Sequence, residues 1–225
     1  MSAADWSLFV TAFVTLFVVI DPPGVAPIFA SLTDGGNRKY RFAMALKGIL
    51  VATGVLFAFA FGGKVLLDAV GIGLPAFSTA GGILLFIMGM EMVFEKRTER
   101  RSKQAEHLAE DAHQHHPDQE GPEDISVFPL GIPLVAGPGA IASTVLLMTN
   151  AQGHLISQAW VLTALALVLL LTFLALVFLT EAIKRAGETF STLLTRLMGI
   201  MLTALAVQYV FNGLQAGLLA PAGVH

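Results

Sequence analysis

Six long apolar runs, set apart by short polar or glycine-rich connections, give this chain its pattern: Trp6–Leu32, Phe42–Phe61, Pro75–Phe94, Val127–Thr149, Ser157–Thr180 and Leu197–Leu219. A spanning helix needs about 20 apolar residues, so each run predicts one. Two of the runs are interrupted, the first by Asp21-Pro22-Pro23-Gly24 and the fourth by Gly137-Pro138-Gly139. An aspartate at the centre of a lone spanning helix costs roughly 2.5–3.5 kcal/mol to insert. Proline removes a backbone donor and clashes with the preceding turn. Such backbone persists at membrane depth only when it is buried in protein or lines a water-filled cavity.

The expected fold is an all-α polytopic membrane protein with six transmembrane helices, helices 1 and 4 being broken at mid-membrane. Pro23-Gly24 and Pro138-Gly139 lie 115 residues apart. Three spans per half is an odd number, so the second half enters the membrane inverted. The result is a 3+3 inverted repeat: residues 1–94, a polar loop at 95–126, and residues 127–225. Broken helices at matching positions of inverted repeats point to a transporter's binding site.

Composition and charge sharpen this picture. Only 13% of the residues are charged, against about 25% in soluble domains. The lack of cysteine excludes disulfides, thiolate metal sites and cysteine nucleophiles. On the expected topology 12 of the 13 basic residues fall in loops on one side, with Lys64 alone on the other. The positive-inside rule then places both termini extracytoplasmic, in a multi-pass protein of the plasma (inner) membrane. The first run lacks a basic stretch before it and is expected to be a retained helix rather than a signal peptide.

Candidate site residues cluster at the breaks. Asp is a preferred N-cap and Pro a preferred first helical residue, so a half-helix is expected to start at Pro22, close to Gly24. Asp21 either only caps it or also meets a substrate or proton. Gly137-Pro138-Gly139 restarts a helix without a capping side chain. That leaves the amides of Gly139, Ala140 and Ile141 free for an anionic group; a hinge or a close helix contact is the rival reading. Ser143 and Thr144, one turn on, either face the same cavity or bond back to their own helix. Gln208 and Asn212, deep in the sixth span, are either glue between helices or part of the site lining. A zwitterion suits the pair of breaks, with its carboxylate on the bare amides and its ammonium near Asp21.

The polar loop carries His113-x-His115-His116-Pro117, which without a second ligand cluster reads as a solvated tract rather than a metal site. Its first part, Glu95 to Glu110, is a candidate extension of the third helix. Glu91 and Arg196, near helix ends, read as interfacial residues. No phosphate loop, catalytic triad or acidic metal cluster suggests an enzyme, a metal or a cofactor. No basic face suggests nucleic acid.

Four motifs, in order, carry a resemblance. They are Asp21-Pro22-x-Gly24-x-x-Pro27 with Leu32-Thr33; Ala80-Gly81-Gly82-Ile83-Leu84-Leu85-Phe86; Pro133-Leu134-x-x-Gly137-Pro138-Gly139-Ala140-Ile141; and Arg196-Leu197-Met198-Gly199 with Ala206-Val207-Gln208 and Asn212-Gly213. Together they resemble the MarC family of six-helix membrane proteins, also called the neutral amino acid transporter family. The resemblance implies secondary transport of small neutral amino acids coupled to H+ or Na+. One departure is Phe77-Ser78-Thr79, uncharged where many relatives carry an arginine. Partners expected are the lipid bilayer and a small neutral amino acid, and an oligomer is compatible with the reading. The alternatives are a divalent-metal exporter using the histidine loop and a non-transporting membrane scaffold or regulator.

Overall fold

The computed structural model describes residues 3–97, 99–103, 126–179 and 188–218, which form helices and their short connections. In chain order these are α1 (Ala3–Ile20), α2 (Pro22–Leu32), α3 (Arg38–Val70), α4 (Leu74–Val93), α5 (Ser126–Val135), α6 (Pro138–Asn150), α7 (Leu155–Leu174), continued by a wider-wound turn at Ala175–Leu179, and α8 (Glu188–Leu218). Among the described residues, five segments are long and apolar enough to cross a membrane: Asp5–Leu32, Arg38–Val70, Leu74–Val93, Leu155–Phe178 and Thr192–Leu218.

The expected fourth span, Val127–Thr149, is not one continuous helix. It divides into α5 and α6, neither long enough to cross alone. Gly137 takes an extended conformation (φ −73°, ψ 169°), and Pro138 brings no N–H to continue the ladder. Just before it, the Ala136 N–H reaches five residues back to the Gly131 carbonyl at 3.0 Å, the looser winding of a π-helix. The second expected span also changes. It starts earlier than Phe42, because the Asn37 side chain accepts from the Tyr40 N–H at 2.8 Å and nucleates the helix at Arg38. Gly71, in the left-handed region at φ 76°, ends it.

Burial shows which span is central. In the most apolar window, 61% of α1–α2 is enclosed by other helices, against 28% for α3 and 33% for both α4 and α8. Short α2 is buried almost throughout, from Pro22 to Ala26 and again at Ile28 to Ala30. The outer surface is as apolar as the interior, with Phe61, Val65, Leu155 and Phe211 widely exposed. A lipid-facing surface needs that composition.

α4 and α8 form the closest seam. They run antiparallel with glycines at the contact, so a Cβ on Gly82 would lie 2.8 Å from the Ala206 carbonyl oxygen. On Gly89 it would lie 2.9 Å from the Thr203 nitrogen, and on Gly199 2.9 Å from the Gly89 carbonyl oxygen. Small residues let backbones approach where no hydrophobic drive separates helix from lipid. Gly89→Ala should destabilise the protein by about 1–3 kcal/mol through overpacking. Gly54→Ala, where a Cβ meets nothing within 4 Å, should instead stabilise by up to about 1 kcal/mol. Thermal unfolding of the two purified variants checks the opposite signs.

Candidate functional site

Each break is a place where proline releases a carbonyl. In a continuous helix the carbonyls of Val18 and Val19 would accept from residues 22 and 23. Those residues are Pro22 and Pro23, which carry no N–H. Asp21, between the two helices, adopts the left-handed conformation (φ 58°, ψ 63°). Non-glycine residues rarely hold it, and Asp is among those that tolerate it best. Local hydrogen bonds fix the turn. The Asp21 N–H donates to the Phe17 carbonyl at 2.9 Å, and its carbonyl accepts from the Gly24 and Val25 N–H groups, each at 3.0 Å. Its Oδ1 also accepts from the Gly24 N–H at 3.1 Å. Gly24 has no room for a side chain, since a Cβ would overlap the Asp21 carboxylate. The N-terminus of α2 therefore has no free amide.

The second break repeats the device without the aspartate. Leu134 precedes Pro138 by four residues, so its carbonyl is released in the same way. Gly137 caps α6 with backbone alone. The Ile141 N–H takes the Gly137 carbonyl at 3.0 Å, so this amide, expected to be free, is already used. The amides of Gly139 and Ala140 make no hydrogen bond within the described residues.

Two arginines donate to two of the released carbonyls, those of Val19 and Leu134. After α4 the chain turns back at Glu95, itself at φ 63°, and an ion pair from Arg196 of α8 holds that turn at 2.7 Å. Residues 96–97 and 99–103 are helical, so the chain returns toward the breaks instead of extending α4 as the sequence suggested. Arg97, 4% exposed, donates through Nη2 to the Val19 carbonyl at 2.5 Å and through Nη1 to Met92 Sδ at 2.8 Å. Arg101 donates through Nη2 to the Leu134 carbonyl at 3.2 Å. Its Nη1 lies 3.7 Å from Asp21 Oδ2 and is buried without a hydrogen bond. Arg100 pairs with Glu91 at 2.6 Å.

A cavity of about 190 Å³ opens between these groups, lined by Val19, Leu84, Met88, Glu91, Arg97, Arg100, Arg101, Leu134, Val135 and residues Gly137 to Ala140. It holds three guanidiniums and one carboxylate. A bare helix N-terminus adds partial positive charge. Such a lining can bind a carboxylate and still offers an acceptor for a cationic group.

The predicted site residues separate into three places. Gly137, Pro138, Gly139 and Ala140 line the cavity. Asp21, 1% exposed, stands behind Arg101 and does not line it, and Pro22 and Gly24 are enclosed within α2. Thr144 Oγ1 bonds back to the Ala140 carbonyl at 2.7 Å. Ser143 Oγ is buried without a partner, and neither residue lines the cavity. Gln208 and Asn212 bond each other on the exposed face of α8. The histidines of the polar loop lie outside the described residues. Among those described, no group of three or more His, Asp and Glu is placed to hold a metal.

Sequence reasoning missed Glu91 and the three arginines, which it treated as helix-end and loop charges. A signal was present. Arg97 and Arg101 are four apart, on one helical face, directly after a span, and each proline-released carbonyl needs a donor.

A family model described as MarC family integral membrane protein matches residues 6–218. This chain belongs to the MarC family. It is 35% identical over 215 residues to a UPF0056 membrane protein of Methanocaldococcus jannaschii, covering 96% of this chain and all of that one. A UPF0056 membrane protein of Archaeoglobus fulgidus is 33% identical over 95% of both chains. YvbG of Bacillus subtilis is 33% identical over 93% of this chain and 95% of its own. No solved structure matches. The MarC-family resemblance read from the four motifs thus holds over nearly the whole chain.

Removing one member of a buried ion pair leaves an uncompensated charge, at about 3–5 kcal/mol. Arg101→Met should therefore destabilise this MarC-family protein by that order. The double variant Asp21→Asn/Arg101→Met should recover part of the loss, because neither side is left charged. A double-mutant cycle in chemical or thermal unfolding measures the coupling.

Proposed function

We propose that this chain is a secondary transporter of small neutral amino acids, driven by a gradient of H+ or Na+ across the plasma (inner) membrane. One observation carries the reading: the unbonded amides of Gly139 and Ala140 open onto a cavity holding three arginines and one carboxylate. The substrate carboxylate docks on those amides, where the helix dipole favours an anion, with the Arg101 guanidinium in the same lining. The ammonium group approaches Glu91, which lines the cavity and is 20% exposed. That role moves from Asp21, which is enclosed and already held by Gly24 and Arg101. The volume suits a small solute. About 190 Å³ is roughly six waters' share of liquid, below the range of about 300–1,000 Å³ for drug-sized ligands.

In this reading the chain crosses the membrane six times as a 3+3 inverted repeat, with α5 and α6 together making the fourth crossing and both termini extracytoplasmic. The support is a matched pair of devices 115 residues apart. Val19 and Pro23 in one half, and Leu134 and Pro138 in the other, each present a released carbonyl to one arginine.

Two measurements test the proposal. Small neutral amino acids should raise the thermal midpoint of the purified protein. Glu91→Gln should weaken their binding by about 1.5–3 kcal/mol, the range for a hydrogen bond to a charged group, while leaving acetate or propionate binding unchanged. Gly139→Val should abolish both, since a side chain there collides with Met88 and covers the amides. A wild-type protein that binds none of these solutes would end the reading. For topology, a cysteine at Gly36 should be labelled only from the cytoplasm and one at Gly153 only from outside; the reverse pattern would overturn the orientation.

A further inference from the structure

Among the described residues, Gln208 and Asn212 bond only each other and line no site. Both are exposed on α8, within the Thr192–Leu218 span. At 1.5 Å per residue they lie roughly 5 and 10 Å from the middle of that span, inside a hydrocarbon core about 30 Å thick. Their one hydrogen bond runs from Gln208 Nε2 to Asn212 Oδ1 at 2.8 Å. A primary amide has two N–H donors and a carbonyl acceptor, so the second Gln208 N–H and its Oε1 face outward unmatched. Lipid tails offer no partner, and burying an amide in pure hydrocarbon is strongly unfavourable.

The surrounding face has the spacing of a helix seam. Leu197, Met201, Ala204, Gln208, Phe211 and Gln215 alternate by four and three residues, and all six are exposed. That is the a/d repeat of left-handed helix pairing. It is turned away from the chain's own bundle, because Gly199, Ala206 and Gly213 are the residues that pack on α4. We propose that this face of α8 is the interface of a homodimer, with Gln208 of each copy bonding Gln208 of the other.

The occupant follows from the chemistry. Two copies inserted in the same orientation are related by an axis along the membrane normal, which brings each seam residue opposite itself. Gln208 is complementary to itself in that arrangement: its free N–H meets the partner's Oε1, and the reverse bond forms at the same time. Asn212 holds the amide plane by taking the other N–H. A single polar residue at a seam position also sets register. The inference is independent of what the cavity binds.

The chain has no cysteine, so one introduced cysteine reports without background. In native membranes, mild oxidation of Ala204→Cys should give a covalent dimer. Phe61→Cys, on the exposed outer surface of α3, should give none above background. Adding Gln208→Leu should weaken self-association in detergent roughly 3- to 30-fold, the equivalent of about 0.6–2 kcal/mol for a hydrogen bond between membrane helices. Its monomer should unfold at the wild-type temperature or above, since the change replaces a lipid-facing amide by an apolar group. Equal cross-linking at both positions, cross-linking of Ala204→Cys only to a protein of another size, or undiminished association of Gln208→Leu would each overturn the proposal.

Discussion

The structure depends on one requirement of backbone chemistry: a carbonyl released by proline inside a low-dielectric bundle has to find a donor. Pro23 releases Val19 and Pro138 releases Leu134, and Arg97 and Arg101 answer them from a single short return after α4. Burying two guanidiniums there is expensive unless each is hydrogen-bonded and paired. Asp21 supplies part of that compensation, and its left-handed turn places the carboxylate where it can. The breaks, the arginines and the aspartate therefore form one structural unit. None of its members is explicable alone.

The two breaks solve the same problem with different remainders. At the first, Pro22, Pro23 and the Gly24 cap leave no spare amide, so the end of α2 is chemically closed. At the second, Gly137 cannot cap, and two amides stay open toward the cavity. The difference lies in one side chain, aspartate against glycine at the N-cap. It leaves one helix start fully bonded and the other with two amides that make no hydrogen bond within the described residues.

Much of this was legible in the sequence. Apolar run lengths located the five candidate spans, and Asp21-Pro22 and Gly137-Pro138-Gly139 marked where the first and fourth runs divide. The fourth run was expected as one span broken at Gly137-Pro138-Gly139, where a second half-helix restarts; the wide winding before Ala136 was not foreseen, because it leaves no periodic trace. Arg97 and Arg101 were hidden for a more general reason. Positive charge after a span ordinarily signals orientation, and that reading hides a charge that folds back into the core. Gln208 and Asn212 were found as polar residues at depth, yet which way they point depends on α8's rotation about its axis. That rotation is set by the glycines facing α4.

The return segment also has a consequence for assembly. Of its two anchor points, Val19 has already been synthesised when Arg97 emerges, whereas Leu134 follows Arg101 by 33 residues. Arg97 can thus be satisfied as soon as it emerges, and Arg101 can already meet Asp21, whereas its carbonyl anchor is missing until α5 arrives. The segment that begins at α5 is not self-sufficient, since its released carbonyl takes a donor that only the earlier part of the chain can lend. A cut between Arg101 and α5 would leave the Leu134 carbonyl without its donor, so the later helices depend on the earlier ones to complete their backbone.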